Sequence, residues 1–313
     1  MPPPTVSLIP DEQTQHQACV MVFNANDPSG AGGLAADVTA IASVGAHPLP
    51  VVTGAYARDT AEIFDHFSLG EDAVTEQARA ALEDVPVQVF KVGFVGSAEN
   101  LSAVASLASD YAEIPLVAYM PDLSWWDEVE IDLYLDAFKE LILPQTTVLV
   151  GNHSTLWRWL LPDWGTDRSP GAKDLARAAH ELGTPYTLVT GIPLPDQFID
   201  NVLASPNAVL ANQRFEHFEA VFSGAGDTLS GTLAALIASG CDLQEAFTEA
   251  LSYLGRCLDG GFRPGMGHVV PDRLFWAQSP AEANLDATPA LPTELTDSSP
   301  IPSLEIPAND TKH

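Results

Sequence analysis

The chain has 313 residues, 46% hydrophobic and 8% aromatic, enough to bury one sizeable core, and a formal charge of −29 from 42 acidic against 13 basic side chains. That charge argues against nucleic acid and anionic membrane surfaces as partners, since both would repel it. Three cysteines, Cys19, Cys241 and Cys257, form no CxxC pair and no zinc-ligand pattern, so neither a disulfide framework nor a zinc site is expected.

Residues 1–16 open with Met1-Pro2-Pro3-Pro4, without the basic and apolar segments of a signal peptide, and are expected to be a mobile leader of a cytoplasmic protein. Strands are predicted at Cys19 to Asn24, Pro50 to Gly54, Val87 to Gly93, Pro115 to Met120, Thr146 to Val150, Tyr186 to Thr190 and Ala208 to Ala211. Between most of them, apolar residues recur at three and four with charges interspersed. This pattern predicts helices at Gly33 to Val44, Glu71 to Leu82, Ala98 to Ser109, Asp132 to Leu143 and Ala172 to Leu182. Such alternation defines an α/β fold, a parallel sheet covered on both faces whose function clusters at the strand C-termini. After Asp227 the pattern turns helical, through Leu229 to Ser239 and Leu243 to Leu258. No run approaches membrane-spanning length. One domain is expected over 17–278, followed by a mobile acidic tail over 279–313 that is too poor in apolar residues to join a core.

Two glycine-rich stretches carry the chemistry. Asn26-Asp27-Pro28-Ser29-Gly30-Ala31-Gly32-Gly33 lies between a strand and a helix, and it has neither the Lys-Ser/Thr of a P-loop nor GxGxxG spacing. Ser223-Gly224-Ala225-Gly226-Asp227-Thr228 leads into a helix of high Ala and Leu content. Small residues there let the backbone turn tightly and leave N–H groups at a positive helix end, which suits phosphate. Asp227 either caps that helix or takes a proton from an attacking hydroxyl, and the presence of the other glycine loop favours the second. On so acidic a chain an anionic cofactor must be held locally, by amides, a few placed cations and a metal ion, with Mg²⁺ the expected one.

Taken together these residues resemble the hydroxymethylpyrimidine and phosphomethylpyrimidine kinases, a branch of the ribokinase-like fold that also includes pyridoxal kinases. Asn26 to Asp37 is similar to the family's SDPSGGAGIQAD, Lys91 to Ser97 to its KIGMLGS, and Ser223 to Thr228 to its GTGCT motif. The resemblance is collinear from about residue 18 to about residue 277. It implies a three-layer αβα fold with a mostly parallel sheet, and transfer of the ATP γ-phosphate to an aminopyrimidine alcohol or its monophosphate, with Mg²⁺ on the nucleotide. It also implies a homodimer. By position it makes Asp227 the base and the amides of Gly224, Ala225 and Gly226 the phosphate cradle. Asp27, Gly30, Arg58 and Phe94 become substrate contacts. Asn152, Thr190 and Thr228 fall on the nucleotide side, and Asp122 and Asn152 on the metal.

Several positions depart from the family pattern. Asp227 stands where thiamine kinases usually carry Cys, Thr190 where a lysine would touch ATP phosphate, and Thr155 where a glutamate would help hold the metal. Asp122 recovers the carboxylate of an altered Asp-Pro only if its loop shifts. Arg58 replaces the glutamine that reads the pyrimidine edge. A guanidinium cannot accept a hydrogen bond, so it suits a carbonyl or phosphate, or else forms a surface pair with Asp59 or Glu62. Phe94 replaces a methionine, and Trp125-Trp126 either cover a ring or pack on the surface. A kinase relic that binds a thiamine precursor without catalysis, and a kinase of a pyridoxal-like alcohol, stand as competing readings.

Overall fold

The computed structural model describes residues 17–166, 168–217 and 219–277; the expected tails, 1–16 and 279–313, lie outside the described residues. Every residue from Cys19 to Phe23 is apolar and buried, the mark of a strand covered on both faces. It forms β1 (Cys19–Asn26), whose Met21 and Phe23 face one helical layer and whose Val20 and Val22 face the other. β1 pairs in parallel with β2 (His47–Arg58) on one side. On the other side β4 (Val89–Val92), β5 (Leu116–Met120), β6 (Val148–Asn152) and β7 (Tyr186–Leu194) follow, also parallel.

The edges differ from a purely parallel expectation. β3 (Ile63–Ser68), β8 (Phe198–Ala204) and β9 (Val209–Glu216) pair antiparallel, so the nine-stranded sheet runs β3-β2-β1-β4-β5-β6-β7-β8-β9. β3 and β8 escape the sequence pattern because neither is a continuous apolar run: β3 has no buried residue, and β8 carries Asp200 and Asn201 in its middle.

One face is covered by α1 (Gly33–Ser43), α7 (Ala225–Ala238) and α8 (Leu243–Asp259), whose Leu34, Ile41, Leu233 and Phe247 join one core cluster. The other is covered by α2 (Glu71–Leu82), α3 (Ala98–Asp110), α4 (Glu128–Ala137), α5 (His153–Leu160) and α6 (Ala172–Glu181). Each fully buried Leu, Val or Phe contributes roughly 1.5–3 kcal/mol to holding these layers together. Caps decide where the boundaries depart from the expected ones. α4 starts early because the Asp127 carboxylate accepts from Val129 N at 3.0 Å, and it passes into a π-helical turn, Phe138–Ile142. α5, not predicted, is capped by Asn152, whose Oδ1 accepts from Ser154 N at 3.0 Å.

α7 begins at Ala225 rather than Leu229, with Gly224 at φ +82° as its cap. The glycine-rich stretch is therefore the first turn of the helix. β1 lies between β2 and β4, so the strand order turns back beside it, and a crevice opens at the strand C-termini where α7 begins.

Candidate active site

Asp27 ties the early glycine loop into a knot. Its carboxylate accepts from Ser29 N at 2.8 Å, Ser29 Oγ at 2.6 Å and Gly32 N at 2.7 Å, and it is buried. Next to it Gly33 sits at φ +55°, with Ala25 O only 2.4 Å from where a Cβ would stand, so a side chain there is excluded. The loop thereby presents Gly33 N to Asp227 Oδ2 at 2.9 Å. The early glycine turn and the carboxylate of the late helix therefore face one cleft.

Beneath them lies a charge cluster in which the side chains of Lys91 and Asp37 are fully buried. Lys91, in the middle of β4, is fully buried, and a buried ammonium must be paired. Its Nζ is 2.8 Å from Asp37 on α1 and 3.0 Å from Asp227 Oδ1 on α7. Asn24, near the end of β1, completes the group by donating to Asp37 at 2.7 Å and to Asp227 Oδ1 at 3.0 Å. Burial pushes the Asp37 carboxyl up to about 7, with Lys91 pulling it down and the charge of Asp227 adding to the rise. Burial by itself would lower the Lys91 ammonium, yet Asp37 and Asp227 together raise it.

The first turn of α7 completes the centre. A Cβ at Gly224 would lie 1.6 Å from Ala31 O, and one at Gly226 would lie 2.1 Å from Tyr119 Oη, so the helix end packs against the early loop and β5 with no space to spare. Arg273 pins it there. Its Nε donates to Thr228 Oγ1 at 2.8 Å, its Nη1 to Gly30 O at 3.2 Å and its Nη2 to Ala31 O. Among the described residues no hydrogen bond uses the N–H groups of Gly224, Ala225, Gly226 or Asp227. These donors are free for an anion at a positive helix end.

Two cavities meet at this helix end. A cleft of about 620 Å³ is lined by Gly32, Gly33, Arg58, Trp125, Gly224 and Asp227, among others. A smaller cavity of about 270 Å³ is lined by Asn152, Thr190, Gly191, Ala225 and Gly226, with Phe215, Leu229 and Leu254. Phe222 borders both. Around the cleft the Tyr56 and Tyr119 hydroxyls are pushed up, first by burial and then by the charge of Asp227, so both remain protonated donors.

The expected site residues distribute unevenly between the two spaces. Gly224 and Asp227 line the cleft, Ala225 and Gly226 the smaller cavity, and Arg58 the cleft. The alternative surface pair for Arg58 is corrected: its carboxylate partner is Asp27, with Nη1 at 3.2 Å, and its side chain is 9% exposed. Asp27 and Gly30 shape the loop from behind and are not among the cleft-lining residues. Phe94 is also set back, 2% exposed and stacked under Tyr56 with centroids 5.6 Å apart. Trp125 and Trp126 pack on Phe94 rather than on the surface, and Trp125 reaches the cleft wall. Asn152 and Thr190 line the smaller cavity, whereas the hydroxyl of Thr228 is buried between Gly224 O and Arg273.

Asp122 and Asn152 do not converge on a cation. Asp122 belongs to the cleft, held by Ser124 and 3.4 Å from Arg158, while Asn152 belongs to the other cavity with its Oδ1 engaged by Ser154. Among the described residues no cluster of three or more His, Cys, Asp or Glu could hold a metal ion. The residues present do not fit a preformed Mg²⁺ site.

Sequence reading did not assign Lys91 or Arg273 a role, and did not single out Tyr119, Ser223 or His268 as parts of the cleft. For Lys91 a signal existed: a lone lysine inside the apolar run Val89-Phe90-Lys91-Val92 demands a buried counter-charge. No comparable signal marks Arg273, whose partners, the Thr228 hydroxyl and the carbonyls of Gly30 and Ala31, are brought close only by the fold.

A profile of the phosphomethylpyrimidine kinase family matches residues 27–272. The hydroxymethylpyrimidine/phosphomethylpyrimidine kinase of Mycobacterium tuberculosis is 26% identical over 269 residues, covering 82% of this chain and 94% of that protein. Among solved structures, an ADP complex of Bacillus subtilis pyridoxal kinase superposes with a TM-score of 0.74 at 19% identity, covering 84% of this chain and all of that one (100%). The phosphomethylpyrimidine kinase of Clostridium difficile gives 0.63 at 20% identity, over 77% of this chain and 100% of that one. Both share the fold.

Proposed function

The chain belongs to the phosphomethylpyrimidine kinase family, and on that premise we propose that it transfers the γ-phosphoryl group of ATP to the hydroxymethyl group of an aminopyrimidine, or to the resulting monophosphate, in thiamine biosynthesis. One observation carries this reading: the bare N-terminal turn of α7 stands between two cavities, with Gly224 and Asp227 on one flank and Ala225 and Gly226 on the other. Phosphoryl transfer needs two substrates aligned across a group whose charge is neutralised, and amide donors at a helix end supply that without moving. The cleft takes the acceptor, between Trp125, Arg58 and Asp227. The smaller cavity takes the nucleotide, with its apolar walls on the base and Asn152 and Thr190 towards the phosphates.

Asp227 orients the acceptor. Its oxygens already accept from Lys91, Asn24 and Gly33, which leaves about one of a carboxylate's four lone-pair positions for an incoming hydroxyl. Magnesium would arrive with the triphosphate. Homodimer assembly and cytoplasmic location belong to the same reading.

A coupled assay of ADP release tests it, with hydroxymethylpyrimidine and its monophosphate as acceptors. Turnover of at least one acceptor is expected, with Asp227→Asn lowered at least about tenfold on the alcohol. No turnover above background, or a variant indistinguishable from the wild type, overturns the reading. The smaller cavity has no Lys or Arg among its lining residues, and that favours one alternative, a relic that binds the precursor alone. Calorimetric binding of Mg²⁺-ATP removes the relic.

A further inference from the structure

Another cavity lies outside the proposed active centre. It is a groove of about 670 Å³ between the start of α6 and the strands β7, β8 and β9, a size common among sites for organic ligands. None of its lining residues lines the cleft or the smaller cavity. Successive residues of a strand point to opposite faces, and β8 uses both: Ile199 and Asn201 line the smaller cavity, Asp200 and Val202 the groove. The strand therefore stands between the two spaces.

The helix side of the groove is basic. Arg168, Lys173 and Arg177 line it, three of the 13 basic residues in a chain of formal charge −29, so they reverse locally the sign that the composition sets. Two acids also line it, and both are engaged. Asp174 Oδ2 accepts from Arg168 Nη1 at 3.0 Å and from Gly171 N at 2.9 Å, and its Oδ1 lies 3.7 Å from Arg177 Nη1. Asp200 accepts from Asn212 Nδ2 at 3.2 Å. Each guanidinium has five N–H donors, so most of those on Arg168 and Arg177 stay available, and Lys173 pairs with no acid among the described residues. Arg168 is also set in place in advance: its Cζ lies 5.3 Å from the centroid of the Trp164 ring, whose Nε1 donates to the Arg168 carbonyl at 2.7 Å. Among the described residues no hydrogen bond uses the N–H groups of Ala172 and Lys173 in the first turn of α6.

The strand side of the groove is apolar, formed by Ile192, Val202 and Val209, the last 50% exposed. A cationic wall opposite an apolar one suits a ligand with both characters. We infer that this groove is a second binding site, for a small organic phosphate whose oxygens are held by Arg168, Lys173 and Arg177 and whose body lies on Ile192, Val202 and Val209. A phosphate monoester offers three oxygens and, with its second pKa at about 6, close to two negative charges at neutral pH; a carboxylate offers two oxygens and one charge to the same three cations. An inorganic anion would satisfy the cations and leave the apolar wall in water, forfeiting the gain from covering it. The site does not depend on the chemistry at α7.

Calorimetry of the full chain with phenyl phosphate, inorganic phosphate and phenol provides the test. Phenyl phosphate is expected to bind at least about tenfold more tightly than either of the others. Lys173→Gln combined with Arg177→Gln, two exposed positions of α6, should weaken it at least about tenfold. Should that variant fail to fold, Val209→Asp on β9 places a carboxylate on the apolar wall and lowers the affinity severalfold. Arg58→Gln, which alters only the cleft, should leave the groove-dependent binding as in the wild type. Three results overturn the inference: no binding, equal affinity for phenyl phosphate and inorganic phosphate, or binding that Arg58→Gln abolishes and the groove variants leave unmoved. Turnover enters none of these measurements, so failure of the kinase reading is told apart from failure here. A chain without kinase activity that binds phenyl phosphate through Lys173 and Arg177 upholds the site.

Discussion

The cleft and the smaller cavity share one helix end and are built from opposite materials. The cleft, about 620 Å³, is lined by Arg58, Glu62, Asp122, Asp227 and His268 and backed by the buried Lys91. The other, about 270 Å³, is walled by Ile199, Phe215, Leu254 and Leu258, with the Asn152 and Asn201 amides and the Thr190 hydroxyl towards its polar end and, among the described residues, His217 its only titratable lining residue. On the proposed reading the two flanks would hold anions in different ways, with a fixed cation on one side and backbone N–H groups at a helix end on the other.

The most direct way to break both flanks at once is Gly224→Ala. The added Cβ meets Ala31 O at 1.6 Å, at φ +82°, so the first turn of α7 must move. Loss of at least about a hundredfold in turnover is expected, with a fall in the melting midpoint. Scanning calorimetry and the coupled assay check it, and a variant with normal kinetics would mean that the helix end does not form the centre.

Lys91→Met tests the buried support of the acceptor flank alone. It leaves the carboxylates of Asp37 and Asp227 without their shared cation, for an expected loss of roughly 3–5 kcal/mol in denaturant unfolding. Adding Asp37→Asn should recover part of that loss, a coupling that a double-mutant cycle reads directly.

The same cluster predicts a pH dependence. Burial raises the Asp37 carboxyl from its ordinary value of 3.8 to about 7, so the native state binds its proton more tightly than the unfolded chain does. The stability from this group is fully present below about pH 4 and is lost as the pH rises through about 7. Relative to the wild type, Asp37→Asn should therefore gain stability progressively across that window, measured as unfolding midpoints at fixed pH steps. An unchanged difference between the two proteins would show that Asp37 does not titrate there.

The smallest effect belongs to the other flank. Thr190→Lys puts an ammonium beside the amides of Ala225 and Gly226, and nucleotide affinity should rise by about three- to tenfold at low salt, declining as salt is added. Calorimetry at two ionic strengths separates this from a gain in shape alone.

Much of the frame was legible because its signals are local. The run Cys19 to Phe23 is apolar at every position, which identifies a doubly covered strand, and the small residues of Gly224-Ala225-Gly226 identify a tight helix entry. Less legible were β3, with no buried residue, and the capped starts of α4 and α5, where one side-chain oxygen shifts the boundary by several residues. Phe94 shows the limit within the site: its place in the motif points to the substrate, yet Tyr56 and Trp125 stand in front of it.

The sequence by itself determined the layered α/β architecture, the two glycine turns and the carboxylate that follows the second, because periodicity and backbone freedom are properties of neighbouring residues. Tertiary structure alone decided that Lys91 joins Asp37 to Asp227, that Arg273 locks the helix end, and that Arg58 turns inward to Asp27. Those pairings link residues from 31 to 136 positions apart, or 45 for Arg273 and Thr228. The free energy that selects them is the desolvation of buried charge, which exists only once the layers have closed.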